Sequence, residues 1–295
     1  MKSRKEFERM KKLAFDAAIE AGKIVESYFY RETAAKSKEK MRGDFVTEAD
    51  LASEKYIIRR IRKEFPKANI LSEEAGMSSL SKNNKDNAYL WLVDPIDGTT
   101  HFKHGLPDFC VILGIAKGSK PIFAVAYFPL TKQMFWAEKG KGAFLDKKRI
   151  KVSSMSKLKD SVFSFGVFRS NKYTPSIMKM YNHAFFHLKK VLKTGSIGLT
   201  AAMISSGRFE ANISNFYSSH DSALMAFLIE EAGGKATDIN GNELDINTSE
   251  GTVNIFSNGK IHKQAIAYTK KFVKQDKTKH KLKNSKPNSN SKPKR

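Results

Sequence analysis

Residues 89–98 read YLWLVDPIDG, an apolar run that stops abruptly at two aspartates three positions apart. Leu90 to Val93 have the length and composition of a buried strand that ends at turn residues. A carboxylate at the end of such a strand is disfavoured in its charged form unless a cation or hydrogen-bond donors offset its burial. Pro95 stiffens the backbone between Asp94 and Asp97, and Gly98 frees it immediately afterwards. A fixed Asp-Pro-Ile-Asp turn can aim two carboxylates, and a backbone carbonyl between them, at one point. The fold must place this corner where basic side chains or a metal can neutralise it. With 53 Lys and Arg against 30 Asp and Glu, the chain has ample cations of its own, so both remain open on composition.

Around this corner the hydrophobic pattern predicts a mixed α/β (α+β) chain. Residues 5–29 carry Phe7, Met10, Ala14, Ala17, Ala18, Ala21, Ile24, Val25 and Tyr28 at helical spacing. The polar residues 31–42 read as a loop. The next segment starts extended at 44–47 and becomes a helix with Leu51, Ile57, Ile58, Ile61 and Phe65, stopped by Pro66. Thr47 and Asp50 have the form of a capping box at its start. Residues 68–72 are a short strand ending in Ser72-Glu73-Glu74, and 77–87 a polar loop. Residues 109–153 alternate strand-like runs with turn signals, as in an antiparallel meander. Beyond a division near 153–160 the pattern gives a strand (161–168), a helix (174–192), and a Gly-Ser turn into a helix (194–213). There follow a helix closed by Gly233-Gly234, a hairpin turning at Asn240-Gly241, a strand (252–258) and a last helix (260–275). The expected division is residues 1–155, 156–270 and a basic tail, 271–295.

With 295 residues the chain can bury a large core, as one big domain or two modest ones. The charged N-terminus lacks a signal peptide's apolar stretch, and no run approaches the ~20 apolar residues of a membrane span. The single Cys110, set in an apolar stretch, reads as a buried small side chain, and a cytoplasmic location is the simplest expectation. The tail holds ten Lys or Arg and one acid, Asp276. Its Asn, Ser, Lys and Pro cannot build a core, so it is expected to be disordered. It is either a solubilising appendage or a segment that binds nucleic acid or acidic surfaces.

Four acidic places follow apolar strands or open helices: Glu73-Glu74, Asp94, Asp97 and Asp221. Singly, Asp221 reads as a helix cap and the glutamate pair as a solvated turn. Together they form an all-oxygen donor set, which suits Mg²⁺ or Mn²⁺ rather than zinc. The backbone N–H groups of Gly98-Thr99-Thr100 add an anion site if a helix starts there. A metal beside an anion site points to a phosphate.

These residues resemble the inositol monophosphatase superfamily of magnesium-dependent, lithium-sensitive phosphatases. The resemblance rests on DFVTEAD (44–50), SEEAG (72–76), WLVDPIDGTTHF (91–102), GSIGLTAAMISSGRFEA (195–211) and HDSALMAFLIEEAGG (220–234), in the family's order and spacing from about residue 7 to 268. It implies a layered αβαβα sandwich of the sugar-phosphatase type and two or three Mg²⁺ ions. Glu73, Asp94 and the Ile96 carbonyl match the ligands of one ion. Asp94, Asp97 and Asp221 match those of a second, and Glu74 supports them. Gly98 and Thr99, beside Asp97, match the phosphate contacts. Thr99 with Asp50 matches the groups that orient and deprotonate the attacking water. Gly195, Ser196 and Ile197 match the segment whose backbone meets the substrate alcohol. Relatives are often dimers, and the resemblance leads to the expectation of a homodimer.

The sequence departs from the family pattern at three positions. His101 replaces the usual asparagine, and His220 the tryptophan before Asp221; both are read as surface or supporting histidines. Ser214 stands where inositol-specific members carry an acid that holds a sugar hydroxyl. Three functions follow as expectations. One is a phosphomonoesterase for small polyol or sugar phosphates. Another is the same chemistry on 3′-phosphoadenosine 5′-phosphate, fructose 1,6-bisphosphate or histidinol phosphate. The third is a nucleic-acid-binding or regulatory protein on a phosphatase scaffold.

Overall fold

A computed structural model describes residues 2–30, 37–41, 44–78, 89–168, 171–215, 218–248 and 252–273. Helix α1 (Lys2–Phe29) is followed by strands β1 (Ser37–Met41) and β2 (Asp44–Thr47), helix α2 (Glu48–Glu64), β3 (Asn69–Ser72), β4 (Gly76–Ser78) and β5 (Tyr89–Asp97). Then come the short helix α3 (Thr99–Lys103) and strands β6 (Cys110–Lys117), β7 (Lys120–Phe128), β8 (Gln133–Glu138), β9 (Gly142–Leu145) and β10 (Lys148–Ile150). The rest of the chain forms β11 (Val162–Gly166), α4 (Thr174–His187), β12 (Lys190–Lys193), α5 (Ile197–Ser205), β13 (Ala211–Ser214), α6 (Ser219–Glu231), β14 (Lys235–Asp238), β15 (Asn254–Ser257) and α7 (His262–Phe272).

Two large sheets organise these elements. One has eight strands in the order β10-β9-β8-β7-β6-β5-β3-β4, the other five in the order β12-β11-β13-β15-β14. Residues along the central strands alternate between two cores, as a pleated strand requires. Trp91, Val93, Val111, Leu113 and Ile115 pack with Leu13, Ala17, Ile57 and Ile61 of α1 and α2. Leu92, Cys110 and Ile112 pack on the opposite face with Ile197, Ala201, Leu224 and Leu228 of α5 and α6. That second core also takes in Ala236 and Phe256 of the smaller sheet. Phe163, Phe165, Ile213 and Ile255 turn the other way, onto Ile177, Met180 and Ala265 of α4 and α7. Helix pair, sheet, helix pair, sheet and helix pair make the expected αβαβα sandwich. Such alternation buries both faces of each sheet, which is why Leu90–Val93 of β5 and Cys110–Ala116 of β6 are continuous apolar runs rather than half polar.

The predicted meander is present: β6 to β10 pair consecutively and antiparallel. Helix α2 starts with the predicted capping box of Thr47 and Asp50. Several local expectations are corrected. Residues 37–41 are not loop, because Ser37–Met41 pairs antiparallel with β2. Within 77–87, Met77 and Ser78 belong to β4, paired with β3. The helix expected over 174–192 stops at His187, where Leu188 turns extended. Residues 190–193 then form β12, an edge strand parallel to β11. In α2 the predicted stripe is kept at Ile57 and Ile61, which are buried, and at Ile58 and Phe65, which pack against the same core, but Leu51 is 52% exposed and Ala49, Asp50, Ser53 and Glu54 are buried in addition. The Asn240-Gly241 turn is present, but its returning arm is a single bridge, Thr237 to Glu243. Helix α7 runs through Phe272, within the helix expected over 260–275, and Val273 is buried. Residues 274–295 lie outside the described residues. Among the described residues no helix is long and apolar enough to cross a membrane.

Candidate active site

The corner at the end of β5 is built by a break in the β5–β6 ladder. Asp94 pairs with Ile112 and Asp97 with Cys110, and the register shifts between them. Pro95 falls inside this bulge, where its missing N–H leaves no ladder bond unmade. The Ile96 N–H donates to Asp94 Oδ1 at 3.0 Å, which fixes the first carboxylate against the turn. Gly98 follows at φ +89°, and a Cβ there would stand 2.8 Å from the Asp108 carbonyl, so only glycine fits. Helix α3 then begins with Thr99, whose hydroxyl lies 2.8 Å from the Ile96 carbonyl and 3.3 Å from Asp50 Oδ1. Asp50 is fully buried at the start of α2, and its Oδ2 accepts from the Thr47 N–H at 2.8 Å and the Thr47 hydroxyl at 2.5 Å. Burial pushes its carboxyl up to about 6, aided by the nearby charge of Glu74 and opposed by the donors of Thr47 and Thr99.

Asp97 ties the large sheet to α5. Its Oδ1 accepts from the Ile197 N–H at 3.0 Å and its Oδ2 from the Gly198 N–H at 2.7 Å, and the Ser196 hydroxyl donates to it as well. A carboxylate at the first N–H groups of a helix meets otherwise unpaired donors and the favourable end of the helix dipole. The Cys110 thiol, 3.5 Å from Oδ2, completes the enclosure. A Cβ on Gly198 would stand 2.2 Å from that sulfur, so glycine is what lets α5 approach. Burial raises the Asp97 carboxyl to about 6, and the Ser196 and Gly198 donors hold it from going further.

Asp94 is in a harsher place. Burial raises its carboxyl well above the usual carboxylate range, and the charges of Glu73, Asp221 and Asp97 add to that, in this order. Glu73 leaves the end of β3 with its N–H on the Val93 carbonyl at 3.1 Å, beside the Asp94 strand. Asp221 lies in the first turn of α6, where the Ser218 cap accepts from its N–H at 3.3 Å and donates its hydroxyl to Oδ2. Asp221 Oδ1 is buried and has no hydrogen-bond partner among the described residues. Nor has His220 Nε2, 3.5 Å away.

Among the described residues no three His, Cys, Asp or Glu side chains stand together as a closed metal cage. Like charges in a low-dielectric corner repel, and a counter-ion would offset that cost. The donor set nevertheless fits a hard divalent cation. It is all oxygen, one carboxylate oxygen is orphaned, and Asp94 is held next to three other acids.

Of the predicted site residues, the structure links Asp94 electrostatically with Glu73, Asp97 and Asp221, joins Asp50 to Thr99, and joins Asp97 to Ser196 and Ile197. Gly98 lies against Ser196. His101 is half-exposed; its Nδ1 meets the Asp108 carbonyl at 2.9 Å and its ring lies against Gly195. His220 is buried beside Asp221 rather than on the surface. Ser214 is fully buried, paired through the backbone with Gly166 and Asn254, and presents no surface to a ligand. Three residues at the site escaped the sequence reading. Ser53 donates to the Pro95 carbonyl at 3.2 Å, Glu54 takes the turn after β3, and the Cys110 thiol touches Asp97. Asp50, Ser53 and Glu54 share one helix stripe by their i, i+3, i+4 spacing, but that spacing does not tell which way the stripe faces.

A family model for the inositol monophosphatase family matches residues 6–274. The inositol-1-monophosphatase of Caulobacter vibrioides is 33% identical over 254 residues, 85% of this chain and 97% of that protein. A Thermotoga maritima protein named fructose-1,6-bisphosphatase/inositol-1-monophosphatase is 32% identical over 232 residues, 79% of this chain and 86% of the relative. The solved structure of an inositol monophosphatase from Anabaena (Nostoc) sp. matches with a TM-score of 0.77 at 31% identity, covering 91% of this chain and 98% of that one. With its carboxylate corner on that fold, the chain belongs to the inositol monophosphatase family, whose members are Mg²⁺-dependent phosphoric monoester hydrolases.

Proposed function

We propose that the corner around Asp94 holds two or three Mg²⁺ ions, or Mn²⁺ in their place, and hydrolyses monoesters of small polyols and sugars. The supporting observation is Asp94 itself, buried and raised by three neighbouring acids, with an orphaned Asp221 oxygen nearby. Glu73, Asp94 and the Ile96 carbonyl would hold one ion, and Asp94, Asp97 and Asp221 a second. When bound, the ions lower the pKa of the attacking water and stabilise the oxygen that leaves. Thr99 takes the water proton and passes its own to Asp50, whose buried carboxyl near 6 suits a general base. Gly98 and Thr99 hold the phosphate through their backbone N–H groups. As the water oxygen bonds to phosphorus and the P–O bond to the alcohol breaks, Gly195, Ser196 and Ile197 position the alcohol, which takes its proton from solvent water while Asp50 returns the one it received to solvent.

Ser214 offers neither a carboxylate nor an exposed hydroxyl, so no charge-assisted bond to a polyol selects inositol at this position. We infer a broad specificity, with inositol 1-phosphate accepted but not strongly preferred. The double name of the Thermotoga relative is consistent with a family site that takes more than one ester. The test is a panel of phosphate esters: inositol 1-phosphate, other polyol and sugar monophosphates, fructose 1,6-bisphosphate, 3′-phosphoadenosine 5′-phosphate and histidinol phosphate. Turnover should require Mg²⁺, disappear with chelator, return with Mn²⁺ and be inhibited by Li⁺. Full activity after exhaustive chelation would end the metal reading, and a hundredfold preference for inositol 1-phosphate would end the broad one.

A further inference from the structure

Helix α2 turns an unusual face to the large sheet. Asp50, Ser53 and Glu54 are all buried on it, and each holds a different segment of the site. Asp50 takes Thr47 and reaches Thr99, while Ser53 takes the Pro95 carbonyl. Glu54 does the most. Its Oε1 accepts from the Glu74 N–H at 3.0 Å, the Ala75 N–H at 3.0 Å and the Ser72 hydroxyl. These donors bracket Glu73, which sits between them on the turn leaving β3.

We propose that Glu54 is a positioning residue: through Ser72, Glu74 and Ala75 its carboxylate sets the turn that aims Glu73 at the cation beside Asp94. The inference rests on the metal-dependent reading above. Two arguments favour it over a purely structural staple. The bonds are not spread along the helix but converge on the two residues either side of Glu73 and the one beyond, so they define that side chain's departure direction. An amide oxygen would accept the same donors without charge. A buried carboxylate instead adds negative potential to a corner already rich in acids, which is unfavourable unless a cation is to be held there. Partners that orient metal ligands tune affinity as strongly as some ligands do.

The experiment compares Glu54→Gln and Glu54→Ala with wild type in the full chain. Direct Mn²⁺ binding, followed by electron paramagnetic resonance, is set beside the Mg²⁺ dependence of hydrolysis and thermal unfolding in chelator. Both variants should weaken Mn²⁺ binding, Glu54→Ala more, by about tenfold to a hundredfold. The half-saturating Mg²⁺ should rise by the same factor, and kcat at saturating metal should stay near the wild-type value. Ser72→Ala, which removes one donor and leaves the charge, should move both readouts in the same direction by less. Its smaller perturbation keeps the test open if Glu54→Ala does not fold. Unchanged Mn²⁺ binding in folded Glu54→Gln and Ser72→Ala would overturn the proposal. So would a uniform fall in kcat at every metal concentration, the mark of a structural staple. If wild type itself neither binds Mn²⁺ nor needs metal, the underlying functional reading fails instead.

Discussion

Of the clusters of buried polar side chains in the described residues, the one around Asp94 and the one around His262 are opposites. In the first, Glu73, Asp94, Asp97 and Asp221 gather acids against acids, Asp94 is pushed well up, and one Asp221 oxygen has no hydrogen-bond partner among the described residues. In the second, His262 at the start of α7 is enclosed by hydroxyls, with Nε2 2.9 Å from Thr237 and Nδ1 2.8 Å from Ser257. The Thr237 hydroxyl donates to the Asp238 carbonyl at 2.8 Å, so it must accept from His262 Nε2–H. Nδ1 is then the acceptor for Ser257. Every capacity of that imidazole is met by the protein. Burial alone therefore does not mark a functional residue. Buried charge whose neighbours make it worse does, because the fold bears that cost only if something else binds there.

The largest effect should come from breaking the first cluster. Asp94→Asn removes the proposed shared ligand and should lower kcat more than Asp50→Asn or Thr99→Ala, which touch only proton transfer and should lose ~10²–10⁴-fold. In chelator, Asp94→Asn should melt no lower than wild type, since one of four mutually repelling carboxylates has gone. Steady-state kinetics and calorimetry check both arms. Similar, mild losses across the three variants would mean that Asp94 is not shared, and a sharp drop in chelator stability would mean that it is structural.

The second cluster should answer in the other direction. His262→Ala leaves the Thr237 and Ser257 hydroxyls without their imidazole partner and opens a gap against β14 and β15. The cost should be about 1–3 kcal/mol of stability per stranded group. Turnover of the folded enzyme should not change, because His262 belongs to no part of the proposed site. Denaturant unfolding and kinetics on the same preparation separate the two. A variant of full stability but altered kinetics would erase the distinction between the clusters.

What the sequence discloses follows from the same contrast. The α1 stripe, the β6–β10 meander and the apolar run of β5 are legible because hydrophobic patterning records which faces are buried. The Asp94–Asp97 corner is legible because Pro95 and Gly98 fix its backbone. Strands β1 and β12 are not, since their pairing partners are set by tertiary structure rather than by their own mostly polar residues. Glu54 and Ser53 also elude a single sequence. A polar side chain on an amphipathic helix reads as solvent-facing, and only the fold shows it turned inward onto β3 and β5. Ser214, which family position sets beside the substrate, is enclosed by the ladder of the smaller sheet, a burial that its own residue type does not announce.

The smallest effect, and the finest test of the comparison, is in the pH dependence of stability. Burial, with a smaller contribution from the Lys235 charge, lowers His262 from its usual 6.5 to about 4. Between those values the unfolded chain holds a proton on this residue that the native chain does not. Stability contributed by the neutral imidazole is present in full above pH 6.5 and is lost as pH falls towards 4, where the native state also protonates. The added proton would sit on Nδ1 and face the Ser257 hydroxyl, which would have to turn towards the Lys235 carbonyl at 3.5 Å. Asp50 works in the opposite sense: raised to about 6, it contributes stability at low pH that is lost as pH rises through that value. A direct titration of wild type mixes the two. The difference between wild type and His262→Gln cancels the carboxylates, which both chains share, and leaves the imidazole alone. Unfolding free energies measured in chelator from pH 7 to 4 should show the advantage of wild type shrinking steadily with acidification. The slope should approach one proton near the middle of the window. A difference flat across that range would mean that His262 takes up its proton equally in the native and unfolded chains and that its enclosure by Thr237 and Ser257 does not hold it neutral.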